Sequence, residues 1–258
     1  MTQANYTIES LQRGLQVLAL FNHEQPTLTL TEIILRTGLN KTTAFRIVST
    51  LETAGYLKRD PETKQYRPAL KVLQLGFTAL SSLEFRQVAR PYLHQLSQEV
   101  GETVSLSVLD GMDVVYVDRV RNQQIVGVVL GIGSRIPAHC ASMGKVILAH
   151  LTDEELNGRL QNLTLTPCTP QSHTTIEDLK ADIIRVRQQG YALNDEELEL
   201  GLRAVAAPIW DDHNQVVAAI NITGSTRTIS KERLVQELAA KVVETALQIS
   251  QALGYGRY

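Results

Sequence analysis

The sequence predicts an α+β protein in two parts. Three short helices and a β-hairpin come first, followed by a larger region of helices and strands around a mainly antiparallel sheet. Three observations carry that prediction. Apolar residues repeat at helical spacing up to residue 54, the repeat changes to alternation after Glu102, and strands and helices then interleave without a regular βαβ unit. The 258 residues, 43% of them hydrophobic and 20% charged, suffice for one large or two smaller domains and are too apolar for a disordered chain.

In the front part, Leu11, Leu15, Leu18 and Ala19 follow Ser10 at helical spacing, and the pattern fades at Asn22 and His23. After an extended lead through Pro26, Leu28 and Leu30, the run Thr31 to Gly38 reads as a brief helix capped by Thr31 and stopped by the glycine. A turn at Gly38-Leu39-Asn40 leads into a third helix from Lys41 to Ala54, with Phe45, Val48 and Leu51 expected to face inward. Two helices joined by a short glycine-containing turn make a helix-turn-helix. Tyr56 to Arg59 and Lys64 to Arg67, around Asp60-Pro61-Glu62-Thr63, read as two short strands of a hairpin, or wing.

Residues 70 to 100 are helical in pattern, through Leu70, Leu73, Phe77, Leu80 and Leu83 and later Val88, Tyr92 and Leu96, with a break expected near Pro91. Alternation then marks strands at Val104 to Val108 and Val114 to Val117 around Asp110-Gly111, and a further strand at Val126 to Leu130. Ser142 to Leu151 and Ile176 to Gln189 read as helices, Val205 to Trp210 and Val216 to Ile222 as strands, and Glu232 to Leu253 as a long terminal helix. The expected division is residues 1–68 for the winged helix-turn-helix, 69–85 for a linker helix, and 86–258 for the second domain.

Charge separates the parts further. Lys and Arg number 25 against 27 Asp and Glu, a net charge of −2, so bulk charge does not announce a nucleic-acid partner. Residues 36–67, however, hold Arg36, Lys41, Arg46, Lys58, Arg59, Lys64 and Arg67 against Glu52, Asp60 and Glu62. The second helix of a helix-turn-helix enters the major groove, its N-terminal side chains reaching base edges while nearby cations hold phosphates. That assigns Lys41, Thr42, Thr43 and Arg46 to duplex DNA, with Lys58, Arg59, Lys64 and Arg67 supporting from the wing. The competing reading makes Thr42 and Thr43 helix caps and the cations a solvated face; the joint occurrence of three helices, a wing and a local charge reversal favours DNA.

Long ordered stretches also resemble one family. Ile8 to Leu18, Leu30-Thr31-Glu32-Ile33, Lys41 to Leu51, Gly55-Tyr56-Leu57 and Tyr66-Arg67-Pro68 resemble the winged-helix domain of IclR-type bacterial transcriptional regulators. Arg135 to Ala149, Gly190-Tyr191-Ala192 and Glu196 to Pro208 are similar to the second domain of the same family. The resemblance implies a GAF- or profilin-like effector-binding domain, a homodimer or dimer of dimers, and binding to double-stranded operator DNA. It places effector contacts, by matching motifs, on Ile125, Val128, Ile136, Ser142, Met143, Asn194, Leu202, Ala204, Asn221 and Thr223. The stretches around Arg135 and Glu199 look most like the branch that senses protocatechuate or 4-hydroxybenzoate. A small organic acid is therefore the expected effector, with aliphatic acids such as glyoxylate or pyruvate as the alternative.

Physical reasoning supports the same region. A loop ending in the helix that begins at Ser142 offers free amides to a carboxylate, and Ser142 adds a hydroxyl. Arg135 and His139 are further candidates for the acid or a phenol; equally, Arg135 can pair with an acid of the Asp195 to Glu199 run, and His139 can cap the loop.

Other classes lack their motifs. His139, Cys140, His150, Cys168, His173 and His213 show no paired metal-ligand spacing, Gly131-Ile132-Gly133 lacks a third glycine, Gly144-Lys145-Val146 is no P-loop, and Ser142 has no nucleophile elbow. No catalytic residue, metal or cofactor is expected. A DNA-binding architectural module without a ligand would leave the patterned second domain without a task. No apolar run approaches the roughly 20 residues that cross a bilayer, so no membrane partner is expected. The N-terminus lacks secretory character and two cysteines make no disulfide framework, which together predict a cytoplasmic protein.

Overall fold

A computed structural model of the chain describes residues 6–22, 25–121, 130–161 and 163–256. They form two compact units, Met1–Ser82 and Leu83–Tyr258.

The first unit contains α1 (Glu9–Ala19), α2 (Leu30–Thr37), α3 (Lys41–Thr53), the strands β1 (Leu57–Arg59) and β2 (Tyr66–Pro68), and α4 (Lys71–Ser81). Its core is Val17, Leu28, Ile33, Val48, Leu57 and Tyr66. Local chemistry differs from expectation at three points. The first helix begins at Glu9, one residue before Ser10, and Leu11 and Leu15 stay exposed while Val17 is buried. The cap of α2 is Thr29, not Thr31: its hydroxyl accepts from the Glu32 amide and the Glu32 carboxylate accepts from the Thr29 amide, a reciprocal pair that needs an acceptor side chain three positions on. Phe45 does not face the core. It is 50% exposed, because Ala44 and Val48, one turn apart, are the buried pair and turn Phe45 outward.

The second unit holds α5 (Glu84–Val100), β3 (Thr103–Asp110), β4 (Asp113–Val120), β5 (Arg135–Pro137), a 3-10 turn (Ala138–Cys140), α6 (Ser142–Ala149), α7 (Asp153–Leu160), α8 (Ile176–Gln189), β6 (Ala192–Asp195), β7 (Leu202–Trp210) and β8 (Val216–Ser225). A short turn, α9 (Lys231–Arg233), passes through a π-helical segment (Leu234–Leu238) into α10 (Ala239–Ala252). The six strands form one antiparallel sheet in the order β5-β4-β3-β8-β7-β6.

The helix break expected at Pro91 falls instead at Ser82–Leu83, and α5 runs through the proline. Burial of Ala89, Leu93, Leu96 and Val100 holds the helix together despite the missing N–H. The short strands β5 and β6 and helix α7 carry no strong periodicity and were not expected. The strand predicted at Val126 to Leu130 lies, except for Leu130, outside the described residues.

Helices α5 and α10 pack on the sheet, and α6 packs on β3, β4, β6, β7 and β8 together with α8. Register places Ala204 opposite Thr223 and Ala206 opposite Asn221, and period two adds Ala219 to the same face. That face meets α6, since Ala206 and Ala219 share a core with Met143 and Val146. Its side chains are small, which leaves space beneath α6.

Two features fix α6. A Cβ on Gly144 would lie 2.2 Å from the Ala138 carbonyl oxygen, so only glycine allows the helix to sit against the 3-10 turn. One residue on, Lys145 is 1% exposed, and its ammonium lies 2.8 Å from Asp182 on α8 and 2.8 Å from Glu197 after β6. His173 Nε2 lies 3.1 Å from the same Asp182 carboxylate. Burial pushes the Asp182 carboxyl up, but the His173 hydrogen bond and the Lys145 charge outweigh it and hold the group well below the usual carboxylate range.

Gly144→Ala is expected to lower stability by about 1–3 kcal/mol, read as a shift of the urea midpoint; an unchanged midpoint would refute the steric argument. Because the folded Asp182 is the stronger acid, its contribution is complete above the unfolded carboxylate range near pH 4 and is lost progressively as pH falls below that range toward the lower folded value. Denaturation at pH 7, 5, 4 and 3 should therefore show a steeper acid loss in the native protein than in Asp182→Asn.

Candidate DNA-binding surface and ligand cavity

In the first unit, Asn40 caps α3 by accepting from the Thr43 amide at 2.9 Å. Thr42 and Thr43 are thus not the caps, and Thr42 keeps its hydroxyl on the surface beside Lys41 and Arg46, all three exposed. Thr43 is half-buried and, with Arg46, lines a groove bounded by Leu11 and Leu15 of α1. The outward Phe45 adds an apolar ring to this helix face.

The wing is β1 paired with β2. Lys58 stands directly across from Arg67, and both are exposed. Like charges opposite one another are unfavourable on a bare strand pair, so the arrangement suits an anion between them. Asp60 tightens the turn by accepting from the amides of Glu62 and Thr63, Lys64 adopts φ +60°, and the Lys64 ammonium donates to the Pro61 carbonyl at 2.5 Å. The Arg59 guanidinium lies 5.5 Å over the Tyr66 ring. Among the described residues, Lys41, Arg46, Lys58, Arg59 and Arg67 have no carboxylate at ion-pair distance. These cations are available to phosphate.

In the second unit a small cavity lies under the start of α6. It gathers Ile136, Ser142, Met143, Asn194, Leu202, Ala204, Asn221 and Thr223, residues spread over nearly 90 positions of sequence. Tyr116, Arg119, Leu130, Ala141, Leu198 and Glu199 line it as well. The helix α6 has no side-chain cap, so its first amides point into this region without a partner from a capping side chain. Asn194 is structural: its amide donates to the Cys140 carbonyl at 2.5 Å and its oxygen accepts from the Glu197 amide.

Arg119 is the charged group that the sequence reading missed. Its Nη1 donates to the Leu130 carbonyl at 3.1 Å and its guanidinium lies 5.6 Å from the Tyr116 ring centre, while Nε is buried without a hydrogen-bond partner among the described residues. Burial draws the guanidinium below its usual value yet leaves it a cation. Burial also pushes the Tyr116 phenol up to about 12, so it stays neutral. Asn221 donates to the Thr223 hydroxyl at 2.7 Å, and its own oxygen Oδ1 is buried without a partner among the described residues.

Two expected contacts are elsewhere. Arg135 is exposed and held by Asp110 at 2.7 Å and Asp113 at 3.1 Å, not by the Asp195 to Glu199 run, because the β4–β5 pairing brings it beside the β3–β4 turn. His139 is buried against the Thr166 carbonyl at 3.0 Å and does not line the cavity. Ile125 and Val128 lie outside the described residues.

The atoms of His173, Asp182 and Glu197 lie close enough together to hold a metal ion. The Lys145 ammonium already occupies the cationic position between the two carboxylates.

A helix-turn-helix with a basic wing and a separate cavity-bearing α+β unit define a DNA-binding protein with a ligand-sensing part. The family comparison agrees: residues 10–61 match the IclR helix-turn-helix domain and residues 77–251 the bacterial transcriptional regulator IclR C-terminal domain. The chain belongs to the IclR family and is a DNA-binding transcriptional regulator, as are the relatives it matches, rather than an enzyme. It is 35% identical to the HTH-type transcriptional regulator XynR of Escherichia coli (strain K12), with 96% of this chain and 98% of the relative covered. It is 36% identical to the Pca regulon regulatory protein of Pseudomonas putida, over 88% of this chain and 78% of that one. Among solved structures, an IclR homologue from Microbacterium hydrocarbonoxydans complexed with 4-hydroxybenzoate superposes with a TM-score of 0.81 at 26% identity, covering 95% and 99% of the two chains. No helix among the described residues is long and apolar enough to cross a membrane.

Arg46→Ala and Lys58→Ala are each expected to weaken binding to all duplexes about equally and to reduce the slope of log affinity against log salt by about one. Fluorescence anisotropy across a salt series measures this, and an unchanged slope would remove that residue from the phosphate contacts. Thr42→Ala should instead change the ranking of operator sequences.

Proposed function

We propose that this regulator controls a catabolic operon in response to a small hydroxylated aromatic acid, such as 4-hydroxybenzoate or protocatechuate, held in the cavity under α6. The observation that carries the reading is the pair of unsatisfied buried groups, Arg119 Nε and Asn221 Oδ1, in one mostly apolar cavity. A buried donor on a cation and a buried acceptor without partners are costly unless a ligand meets them. A carboxylate answers the first and a hydroxyl the second, while Met143, Leu198 and Leu202 supply apolar walls for a ring. Ser142 and the uncapped amides of α6 add donors for the acid. The 4-hydroxybenzoate complex of one homologue and the Pca regulon name of another relative support the same class of ligand. Arg135 and His139 have no part in this reading.

The DNA-binding part works as a pair of chains. A single recognition helix spans too few base pairs to specify an operator. Helix α4 buries none of its residues, and Leu70, Leu73 and Phe77 are 81%, 52% and 63% exposed. A helix of this length is marginal alone in water, and a second copy is the cover that operator symmetry calls for. The acid then acts by binding one arrangement of the paired units more tightly than another.

A thermal-shift series tests the ligand. At about 100 times its dissociation constant a ligand adds roughly 2.7 kcal/mol, so 4-hydroxybenzoate or protocatechuate should raise the melting temperature selectively. Arg119→Ala should weaken binding about 10- to 100-fold, as for loss of a charged hydrogen bond. A response to glyoxylate or pyruvate alone would replace the aromatic effector by an aliphatic one. Full affinity in Arg119→Ala would remove the guanidinium from the site.

A further inference from the structure

The two cysteines are 28 residues apart in sequence, and nothing in their spacing pairs them. In the fold they meet. Cys168, exposed on the loop after α7, donates its S–H to the sulfur of buried Cys140 at 2.6 Å. Cys140 in turn lies 3.7 Å from the Ser172 hydroxyl and follows His139 directly. A disulfide has an S–S distance of about 2.05 Å, so closing the bond needs a movement of about half an ångström.

We propose that Cys140 and Cys168 form a reversible dithiol pair, a modification site that hydroperoxides convert into an intradomain disulfide.

The electrostatics suit the chemistry. Burial raises the Cys140 thiol, yet hydrogen bonds from His139 and Cys168 outweigh it and bring the group below its ordinary value. Burial and the contact with Cys140 push Cys168 up to about 12. Cys140 is thus the sulfur that more readily gives up its proton and Cys168 the one that keeps it, and the two sulfurs are in contact so that the proton can pass between them. Oxidant reaches the exposed sulfur. Cys140, having released its proton beside His139, takes the proton of the Cys168 S–H as Cys168 attacks the peroxide O–O bond; a sulfenic acid forms on Cys168 and hydroxide is expelled, which takes that proton from Cys140 and leaves as water. The Cys140 thiolate then attacks the Cys168 sulfur and displaces a second hydroxide, which takes back the proton that Cys140 first released and leaves as water. Two thiols are oxidised by two electrons, and one hydroperoxide is reduced; with hydrogen peroxide the products are one disulfide and two waters. A thiol reductant reverses the change by exchange.

The location gives the bond leverage. Cys140 ends the 3-10 turn before α6, its carbonyl is held by Asn194, and Ala141, Ser142 and Met143 follow as cavity wall. The disulfide would tie that wall to an exposed loop.

The test uses the full chain, reduced and freed of reductant, exposed to hydrogen peroxide and then alkylated with N-ethylmaleimide. The expected result is loss of both alkylatable thiols, a mass decrease of about 2 Da, a Cys140–Cys168 linked peptide, and full recovery with dithiothreitol. In Cys140→Ser, Cys168 should stop at a sulfenic acid that dimedone traps. In Cys168→Ser, Cys140 should remain reduced. Retention of both thiols in the wild-type chain would overturn the proposal, as would peroxide products confined to dimers linked through Cys168.

Discussion

The second unit is organised around one buried charge. Lys145 lies on the inner face of α6, and its ammonium is neutralised by Asp182 from α8 and Glu197 from the segment after β6. Removing one partner would strand the others in a low-dielectric interior, at a cost of about 3–5 kcal/mol. The ion pairs therefore connect three segments that are far apart in sequence. They also hold α6 at a defined height above the sheet, with Gly144 allowing contact with the 3-10 turn on its other side.

The position of α6 creates the site. Below it the sheet presents Ala204, Asn221 and Thr223, too small to fill the space, and above it the helix begins without a side-chain cap on its first amides. Into the same space come Arg119 from β4, with one buried donor unused, and Asn221 with one buried acceptor unused. Interiors normally pair such groups, and exceptions concentrate where a ligand completes the pairing. Asn194, by contrast, touches the cavity but spends its amide on Cys140 and Glu197, so it shapes the wall.

The first unit shows a different economy. Its core is only a few residues deep, and much of its apolar surface, including Leu11, Leu15, Phe45 and the α4 stripe, stays outside. A small domain buries a modest share of its surface. Part of the unburied share lies on α1, on α3 and along α4.

By itself the sequence determined the helix-turn-helix, the wing, the alternation of β3, β4, β7 and β8, and the basic segment, because each rests on interactions within a few residues: caps, turns and periodicity. Of the ten positions placed by resemblance to a family, eight line the cavity; apart from Ser142, which the start of its helix also singled out, they were legible only through that resemblance, whose motifs carry long-range information that composition and spacing lack. Tertiary structure decided which side of α3 turned inward, since Ala44 and Phe45 are both apolar neighbours, and the face that buries Val48 in one core with Val17 and Ile33 takes Ala44 in and leaves Phe45 out. It also decided that Arg135 belongs to Asp110 and Asp113, that Arg119 belongs to the cavity, and that Cys140 meets Cys168. Strand register and loop closure bring those groups together, and neither is written in local spacing.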